Sequence, residues 1–361
     1  MKNRLHLHSP RADGRPILVL VTYTGIGDLL MALPLFGTLR PYFRALPLIP
    51  LSQASIARLL YQDGLLEGYL QLKESLKFYR NPVGYVLTCW ALSRLQPDVV
   101  AIYGKQILAY GARLGLLRAG RVLFCSSKGT ALRATPGLEV LTPTSNQSRD
   151  YLQFAEKLDV PVTPARVHLS DELKARLQQN IRSRLDWPAY AVLAPWTNDP
   201  RRDAPPQFFR ECIEIIVTEG RFPVVITGLP RHRSAVSGML RGFSDRWVSD
   251  LVGLTTCQDL LGILAGAQFL LTNDGGPLHL AQLVGTPAIV AFGPTAPEQR
   301  LLDPPQRLMP LRLGLSCSPC ADTPLRYQCP GAYLQCLREL KASEARSVLL
   351  AACQALADRV L

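Results

Sequence analysis

The chain has 361 residues, of which 48% are hydrophobic, so it can bury a sizeable core and is expected to form about two domains. Its 40 Lys and Arg residues outnumber 28 Asp and Glu residues, and the resulting charge of +12 favours an anionic ligand or an acidic membrane surface. Nucleic acid is not expected as a partner, because the sequence has no RRM, KH or zinc-finger pattern.

The beginning of the chain is polar and basic and lacks the apolar core of a signal peptide, which predicts a flexible tail over 1–16. No apolar run reaches the roughly eighteen residues of a spanning helix. Nine cysteines without an export signal argue against a disulfide framework. We therefore expect a cytoplasmic protein, and its positive charge is compatible with binding to a membrane face.

The first half of the chain alternates short apolar strands with amphipathic helices. Strands are predicted at Ile17–Tyr23, Leu46–Ile49, Tyr69–Leu72, Val99–Ile102 and Val122–Phe124, and helices at Ile26–Arg40, Ala54–Tyr61, Val83–Leu95, Ile107–Leu116 and Arg149–Leu158. Such alternation is typical of a parallel sheet with helices on both faces. A Pro-rich connector over 159–165 then predicts the end of a domain spanning 17–160.

A second series of the same kind follows and predicts a domain over 161–342. Its strands are predicted at Tyr190–Ala194, Pro223–Thr227, near Trp247, at Gln268–Thr272 and at Ala288–Phe292, and its helices at Asp171–Leu185, Pro206–Glu219, Arg233–Arg241, Cys257–Leu264 and His279–Val284. A terminal amphipathic helix over 343–361 could pack back on the N-terminal domain. The expected fold class is α/β with GT-B architecture, in which two Rossmann-like domains face each other across a cleft.

A glycine-rich turn at Gly25 and Gly27 follows the first strand and raises the question of a dinucleotide site. The NAD fingerprint requires a third glycine where this chain has Leu30, and an acid at the end of the second strand, where 48–53 has none. NAD is therefore disfavoured. Asp28 then lies in the first turn of a helix, where it could cap the helix or take part in chemistry.

A second turn, at 273–277, leads from a strand into the helix that carries His279. Free backbone N–H groups at a glycine-rich helix start form an anion site. The next strand ends in Phe292-Gly293-Pro294-Thr295, which opens the backbone at the same edge of the sheet. Ligands of open α/β sheets bind at this carboxyl edge.

These residues resemble glycosyltransferase family 9, the bacterial heptosyltransferases of lipopolysaccharide core assembly. The family pattern D-[ST]-G-P-x-H-L-A is matched at Asp274, Gly276, Pro277, His279, Leu280 and Ala281, and further matches lie at Gly285–Pro287, Phe292–Thr295 and Ile26–Leu29. The cysteine pattern of the family tail is matched at Cys317, Cys320, Cys329 and Cys336. The resemblance covers roughly residues 17 to 350.

The resemblance implies an inverting, metal-independent glycosyltransferase with Asp28 as catalytic base. The residues expected to contact the donor and its phosphates are Gly27, Arg201, Arg202, Asp274, Gly275, Gly276, Pro277 and His279. The residues expected to surround the nucleotide are Thr197, Gly228, Gly293 and Pro294. The donor would be a nucleotide diphospho-sugar, ADP-linked by preference. The acceptor would be a saccharide or a lipid-linked saccharide, and peripheral contact with the inner membrane is compatible with this acceptor.

Two departures from the family pattern leave alternatives open. Gly275 replaces the Ser or Thr of the motif, and the loop 196–206 has Ala204-Pro205 and Arg202 where a Trp-Pro pair and a Lys are usual. A sugar-nucleotide epimerase or hydrolase of the same fold, or a binding protein that has lost catalysis, are therefore alternative functions.

The four late cysteines are spaced closely enough to bind one Zn²⁺ tetrahedrally. Reduced structural thiols and a disulfide are the other interpretations. No cofactor is expected to be required for catalysis, so a zinc ion at Cys317, Cys320, Cys329 and Cys336 would be structural.

Overall fold

The computed structural model describes residues 5–8, 13–22, 25–72, 82–104, 106–126, 137–185, 187–302, 307–321, 329 and 334–355. The chain divides into two compact units, Met1–Val167 and His168–Leu361. Within the described residues, no helix is both long and apolar enough to cross a lipid bilayer.

The N-terminal unit is built on one seven-stranded sheet. Its elements are β1 (Leu5–His8), β2 (Ile17–Val21), α1 (Ile26–Met31), α2 (Leu33–Leu39), β3 (Arg44–Pro50), α3 (Ala54–Gln62), β4 (Tyr69–Leu72), α4 (Pro82–Ser93), β5 (Val99–Tyr103), α5 (Gln106–Arg113), β6 (Arg121–Cys125), β7 (Leu138–Leu141) and α6 (Gln147–Lys157). The strand order is β1-β4-β3-β2-β5-β6-β7. Every neighbouring pair is parallel except β1 with β4.

The expectation of a flexible tail over 1–16 is wrong for Leu5–His8. This segment pairs antiparallel with β4, with Leu7 opposite Leu70, and the ring of His8 stacks on Tyr69 at 4.5 Å between centroids. The edge strand β4 offers unpaired N–H and C=O groups, and the backbone of Leu5–His8 satisfies them. Residues 1–4 and 9–12 lie outside the described part of the chain.

Helices α4 and α5 cover one face of this sheet. Tyr85, Cys89 and Leu108 pack there against alternate strand residues such as Val19 and Val100. The residues that alternate with these on the strands are buried as well, so the sheet is covered on both faces.

The Pro-rich connector packs onto the N-terminal unit, which explains why the division falls after Val167 and not at residue 160. The backbone of Gly37 lies against the side chain of Ala165, and Thr38 Oγ1 donates a 3.3 Å hydrogen bond to the Thr163 carbonyl. Arg166 Nη1 lies 2.9 Å from the Asp63 carboxylate. These contacts bind the connector to α2 and to the end of α3.

The C-terminal unit contains a six-stranded sheet, parallel throughout. Its elements are α7 (Asp171–Ile181), β8 (Ala191–Ala194), α8 (Pro206–Glu214), β9 (Val224–Ile226), α9 (Arg233–Leu240), β10 (Val248–Asp250), α10 (Cys257–Ala265), β11 (Phe269–Asn273), α11 (Gly276–Val284), β12 (Ala288–Ala291), β13 (Leu308–Leu311), α12 (Gln335–Arg338) and α13 (Ala342–Gln354). The strand order is β10-β9-β8-β11-β12-β13.

The terminal helix α13 packs against α8, and Ala345, Leu349 and Cys353 join the core of the C-terminal unit. The buried face of α13 thus packs within the C-terminal unit. From the sequence, packing against the N-terminal domain had also been possible. Residues 356–361 of the predicted helix lie outside the described part of the chain.

Candidate functional site

Asp28 lies in the first turn of α1, at the carboxyl edge of the N-terminal sheet. Its Oδ2 accepts a 3.0 Å hydrogen bond from the backbone N–H of Gly25, so the side chain does cap the helix. A Cβ atom at position 25 would lie 2.7 Å from this oxygen. A side chain at position 25 would therefore clash with the Asp28 carboxylate that folds back over it. This contact explains the presence of Gly25 without an NAD site.

The other oxygen of this carboxylate is bound by a residue that the sequence did not predict. The side-chain amide of Gln147 donates a 2.8 Å hydrogen bond to Asp28 Oδ1. Gln147 is the first residue of α6, which packs on α1 and α2, and its side chain is buried. Asn146 Oδ1 caps α6 by accepting from the Arg149 N–H at 2.9 Å. The start of α6 thus fixes the orientation of the Asp28 carboxylate.

A second carboxyl group, that of Asp150 on α6, is buried at the same edge of the sheet. Tyr103, the last residue of β5, donates a 2.9 Å hydrogen bond to Asp150 Oδ2. Burial raises the pKa of Asp150, although hydrogen bonds from Thr144 and Tyr103 oppose this shift. The hydroxyl and carboxyl groups form a polar cluster in which Asp150 supports the start of α6.

The C-terminal unit contains a cavity of about 220 Å³ at the carboxyl ends of β8 and β9. Four residues that the sequence assigns to the donor or nucleotide site line this cavity: Thr197, Gly228, Gly276 and Pro277. Trp196, Arg231, His232 and Thr256 line it as well and were not predicted. The starts of α10 and α11 complete the wall.

One wall of this cavity is aromatic. The rings of Trp196 and His232 stack with centroids 4.8 Å apart and planes inclined by 25°. A Cβ atom at Gly228 would lie 2.9 Å from Trp196 Cε3 and 3.2 Å from His232 Nδ1, so this glycine makes room for the stack. Burial, reinforced by Arg231, lowers the pKa of His232, which therefore presents a neutral ring at pH 7. Flat, mostly apolar walls of this kind suit an aromatic ring system.

The turn before α11 explains the unusual Gly275. Its backbone is extended, with φ −157°, so its conformation does not require glycine. A Cβ atom there would instead lie 2.9 Å from Thr197 Cγ2. Thr197 is held in place by a 2.9 Å bond from its N–H to Asp203 Oδ1 and a 2.7 Å bond from Oγ1 to the Asp199 carbonyl. The methyl group of Thr197 thus fills the space that a Ser or Thr side chain at 275 would need.

Asp274 carries a buried charge next to this turn. Its Oδ2 lies 3.4 Å from Arg202 Nη1 and 3.3 Å from Arg300 Nε. Burial alone would raise the pKa of Asp274, but Arg300 and Arg202 outweigh it and hold the pKa below its ordinary value. The carboxylate therefore stays ionised and holds two guanidinium groups at the start of α11. The sequence did not predict Arg300, which follows the Phe292–Thr295 turn by a few residues.

The two arginines that the sequence left as alternatives have different partners. Arg201 forms two 2.8 Å bonds to the Asp199 carboxylate and is 55% exposed. Arg202 reaches Asp274 and is 30% exposed. Arg202 is therefore the one that lies at the turn before α11.

His279 lies within α11 and is buried. Burial, reinforced by Arg300 and Arg202 and opposed by Asp274, lowers the pKa of His279 to about 4. Among the described residues, its Nδ1 has no hydrogen-bonding partner. A neutral imidazole under the turn fits a structural role better than acid–base chemistry at pH 7.

Gly293 and Pro294 contact the cysteine segment and do not line the cavity. The Gly293 carbonyl accepts from the Ser318 hydroxyl, and the Pro294 carbonyl accepts from the Cys320 N–H at 2.9 Å. A Cβ atom at Gly293 would lie 2.9 Å from Cys336 Sγ. Close packing thus accounts for this glycine without a ligand, and a role in the nucleotide environment stays a prediction.

The nine cysteines are free thiols. The pKa of Cys336 is raised to about 11 by burial and by the neighbouring Cys320, Cys329 and Cys317. Yet in the described part of the chain, which includes all four, no three His, Cys, Asp or Glu side chains are arranged to hold a metal ion. Structural zinc at these four thiols stays a prediction.

The model of glycosyltransferase family 9 (heptosyltransferase) matches residues 144–329, slightly more than half of the 361 residues. The chain belongs to glycosyltransferase family 9. The matched range contains Gln147 and every residue described above in the C-terminal unit up to Cys329.

Two curated relatives of this family 9 chain are heptosyltransferases. It is 30% identical over 94 residues to lipooligosaccharide heptosyltransferase 2 of Campylobacter jejuni, covering 26% of this chain and 28% of the relative. It is 22% identical over 231 residues to lipopolysaccharide heptosyltransferase 2 of Escherichia coli, covering 63% of this chain and 64% of the relative. The matches thus span less than two thirds of either relative.

A solved structure shows the fold more completely. The structure of Escherichia coli ADP-heptose lipopolysaccharide heptosyltransferase II superposes with a TM-score of 0.68 at 17% identity, covering 95% of this chain and 99% of that chain. This likeness confirms the predicted α/β fold class, with two Rossmann-like domains of the GT-B type.

Proposed function

We propose that this family 9 protein is an inverting glycosyltransferase that moves heptose from ADP-heptose to a saccharide acceptor in lipopolysaccharide-type assembly. The observation that carries the proposal is the aromatic-walled cavity beside a glycine-rich helix start that holds two arginines. The relatives named above are heptosyltransferases, and one of them is named for ADP-heptose.

The donor nucleotide occupies the cavity of the C-terminal unit. The adenine ring stacks beside Trp196 and His232, where the walls are flat and mostly apolar. The diphosphate meets the backbone N–H groups at Gly276 and the guanidinium groups of Arg202 and Arg300. These groups favour negative charge, so they stabilise the ADP that leaves as the glycosidic bond breaks.

The acceptor hydroxyl attacks the anomeric carbon from the face opposite the leaving nucleotide, which inverts the configuration of the sugar. Asp28 accepts the hydroxyl proton as the new carbon–oxygen bond forms. Hydrogen bonds from Gln147 and the Gly25 N–H hold the carboxylate oriented for this step. Because arginines and a helix N-terminus supply the positive charge, we propose that no divalent cation is required.

The acceptor is a lipid-linked saccharide that carries phosphate or other anionic groups. The surplus of 40 basic over 28 acidic residues favours such an acceptor at an anionic membrane face.

A comparison of nucleotides tests the donor site. We expect ADP to raise the melting temperature more than UDP or GDP, because the cavity is assigned to adenine. A ligand that binds the folded protein and not the unfolded chain raises the melting temperature by an amount that increases with its affinity and concentration. Calorimetry with ADP checks the same affinity directly. Equal stabilisation by all three nucleotides, or by none, contradicts the assignment.

A further inference from the structure

Helix α4 is apolar on all sides, although it lies on the surface of the N-terminal unit. None of its twelve residues, Pro82–Ser93, is charged. Tyr85 and Cys89 are buried against the sheet, whereas Val83, Val86 and Trp90 point outward and are exposed. A surface helix normally carries polar residues on its outer face, so an exposed apolar face marks an interaction site.

The neighbouring helix α5 extends this apolar surface. Gly111 lies against α4, since a Cβ atom there would be 3.1 Å from Cys89 Sγ, and both helices cover the same sheet face. Tyr110, Leu114 and Leu116 are exposed at and just after the end of α5. The exposed apolar residues of these two neighbouring helices and of the turn after α5 are called the α4–α5 surface: Val83, Val86, Trp90, Tyr110, Leu114 and Leu116.

Three exposed arginines, Arg94, Arg113 and Arg118, lie on or directly after α4 and α5. In sequence, the stretch 75–137 has nine basic residues and a single acid, Asp98, and one of the basic residues, Arg121, is paired with Glu139 at 2.8 Å. The carboxylate of Asp98 accepts a 2.7 Å hydrogen bond from the Ile17 N–H. The Arg94 guanidinium lies 4.9 Å from the centre of a Trp90 ring.

We propose that the α4–α5 surface docks the protein on the surface of an anionic phospholipid bilayer. Trp90 and Tyr110 lie at the level of the headgroups, as aromatic side chains do in membrane interfaces. Val83, Val86 and Leu114 enter the acyl boundary, and the arginines contact lipid phosphates. The docking proposal rests on the proposed function in one respect: the lipid-linked acceptor is presented at the same membrane.

Vesicle flotation tests this docking with the full chain. The vesicles are phosphatidylcholine alone and a 3:1 mixture of phosphatidylcholine and phosphatidylglycerol, in which the second lipid supplies the anionic charge. We expect binding to the mixed vesicles, weaker binding to the neutral ones, and loss of binding as salt screens the arginines. Trp90→Glu should lower the partition constant about tenfold or more. Met309→Glu is the matched control, because Trp90 and Met309 are both 49% exposed and each variant adds one negative charge.

Three results overturn the proposal: no binding of the wild type to mixed vesicles, equal binding of the Trp90→Glu and Met309→Glu variants, or self-association through this face. Self-association is measured by sedimentation velocity without lipid, and a wild-type dimer that becomes monomeric in Trp90→Glu assigns the surface to a second copy. Thermal unfolding followed by circular dichroism verifies that each variant is folded.

Failure of docking can be distinguished from failure of the transferase proposal. Asp28→Asn should bind the mixed vesicles like the wild type, because Asp28 is not part of the α4–α5 surface. If the wild type docks but transfers no sugar, the transferase proposal fails. If the wild type transfers sugar but does not dock, the assignment of the α4–α5 surface fails.

Discussion

The side-chain amide of Gln147 donates a 2.8 Å hydrogen bond to Oδ1 of Asp28, and the Gly25 N–H donates to Oδ2 at 3.0 Å. Both oxygens of the proposed base therefore accept hydrogen bonds from N–H donors, which fix the orientation of the carboxylate. An amide cannot gain or lose a proton at neutral pH, so Gln147 orients Asp28 without competing for the proton that Asp28 receives.

Gln147→Glu should raise the pH at which transferase activity develops. The substitution places a carboxylate where the amide was, so two acids share one site and the pair takes up a proton at higher pH. The pH profile of kcat measures this shift. The matched control is Gln153→Glu on the same helix, whose amide contacts Asp150 at 3.3 Å. Equal profiles for both variants would show that Gln147 does not act on the base.

Arg202→Ala should weaken ADP binding about tenfold or more, because hydrogen bonds to charged groups contribute roughly 1.5–3 kcal/mol. Arg201→Ala is the control, since Arg201 is 55% exposed and bound twice to Asp199. We expect it to change the Kd by less than about threefold. Calorimetry measures both values, and a larger loss in Arg201→Ala reverses the assignment.

Gly275→Ala should lower the free energy of unfolding by about 1–3 kcal/mol, because the added methyl group meets Thr197 Cγ2. Thr197→Ser removes that methyl group and keeps the hydroxyl that bonds to the Asp199 carbonyl. The double variant should recover part of the loss. Urea unfolding of the two single variants and the double variant measures the coupling, and strict additivity argues against the contact.

Acid should destabilise the protein through His279, whose pKa is lowered to about 4 in the folded state. In the unfolded chain, His279 takes up a proton near pH 6.5. The neutral, buried His279 therefore contributes its full share of the free energy of unfolding above that pH, and this share is lost as the pH falls toward 4. The loss amounts to at most about 3 kcal/mol. Urea midpoints between pH 7 and 4.5 should fall less steeply in His279→Asn. Parallel curves for the variant and the wild type would indicate that His279 does not titrate in this window.

The alternation of strands and helices was readable from the sequence, because a buried parallel strand is a short apolar run and its crossover helix has period 3.6. Strand β1 was missed, since its residues become a strand only by pairing with the edge of β4. β7 and β13 were missed as well, and both lie at the far edge of a sheet and are partly exposed. Edge strands carry the weakest apolar signal.

The glycine turns at Asp28 and Asp274 were readable because their motifs are local in sequence. Gln147 was not, since 119 residues separate it from Asp28 and nothing in α6 marks the contact. The reason for Gly275 was also hidden, because it depends on a methyl group 78 residues earlier, in Thr197. Side-chain contacts across such distances follow from tertiary packing and have no local pattern.

The most direct test of the transferase proposal compares the wild type with Asp28→Asn, using ADP-heptose and a heptose-deficient lipopolysaccharide core as acceptor. ADP release and the mass of the glycan measure turnover, and calorimetry measures the affinity for ADP. We predict transfer by the wild type, and turnover at least about a hundredfold lower in the variant with an unchanged Kd for ADP. Near-normal turnover in Asp28→Asn, or no transfer by the wild type, would contradict the account.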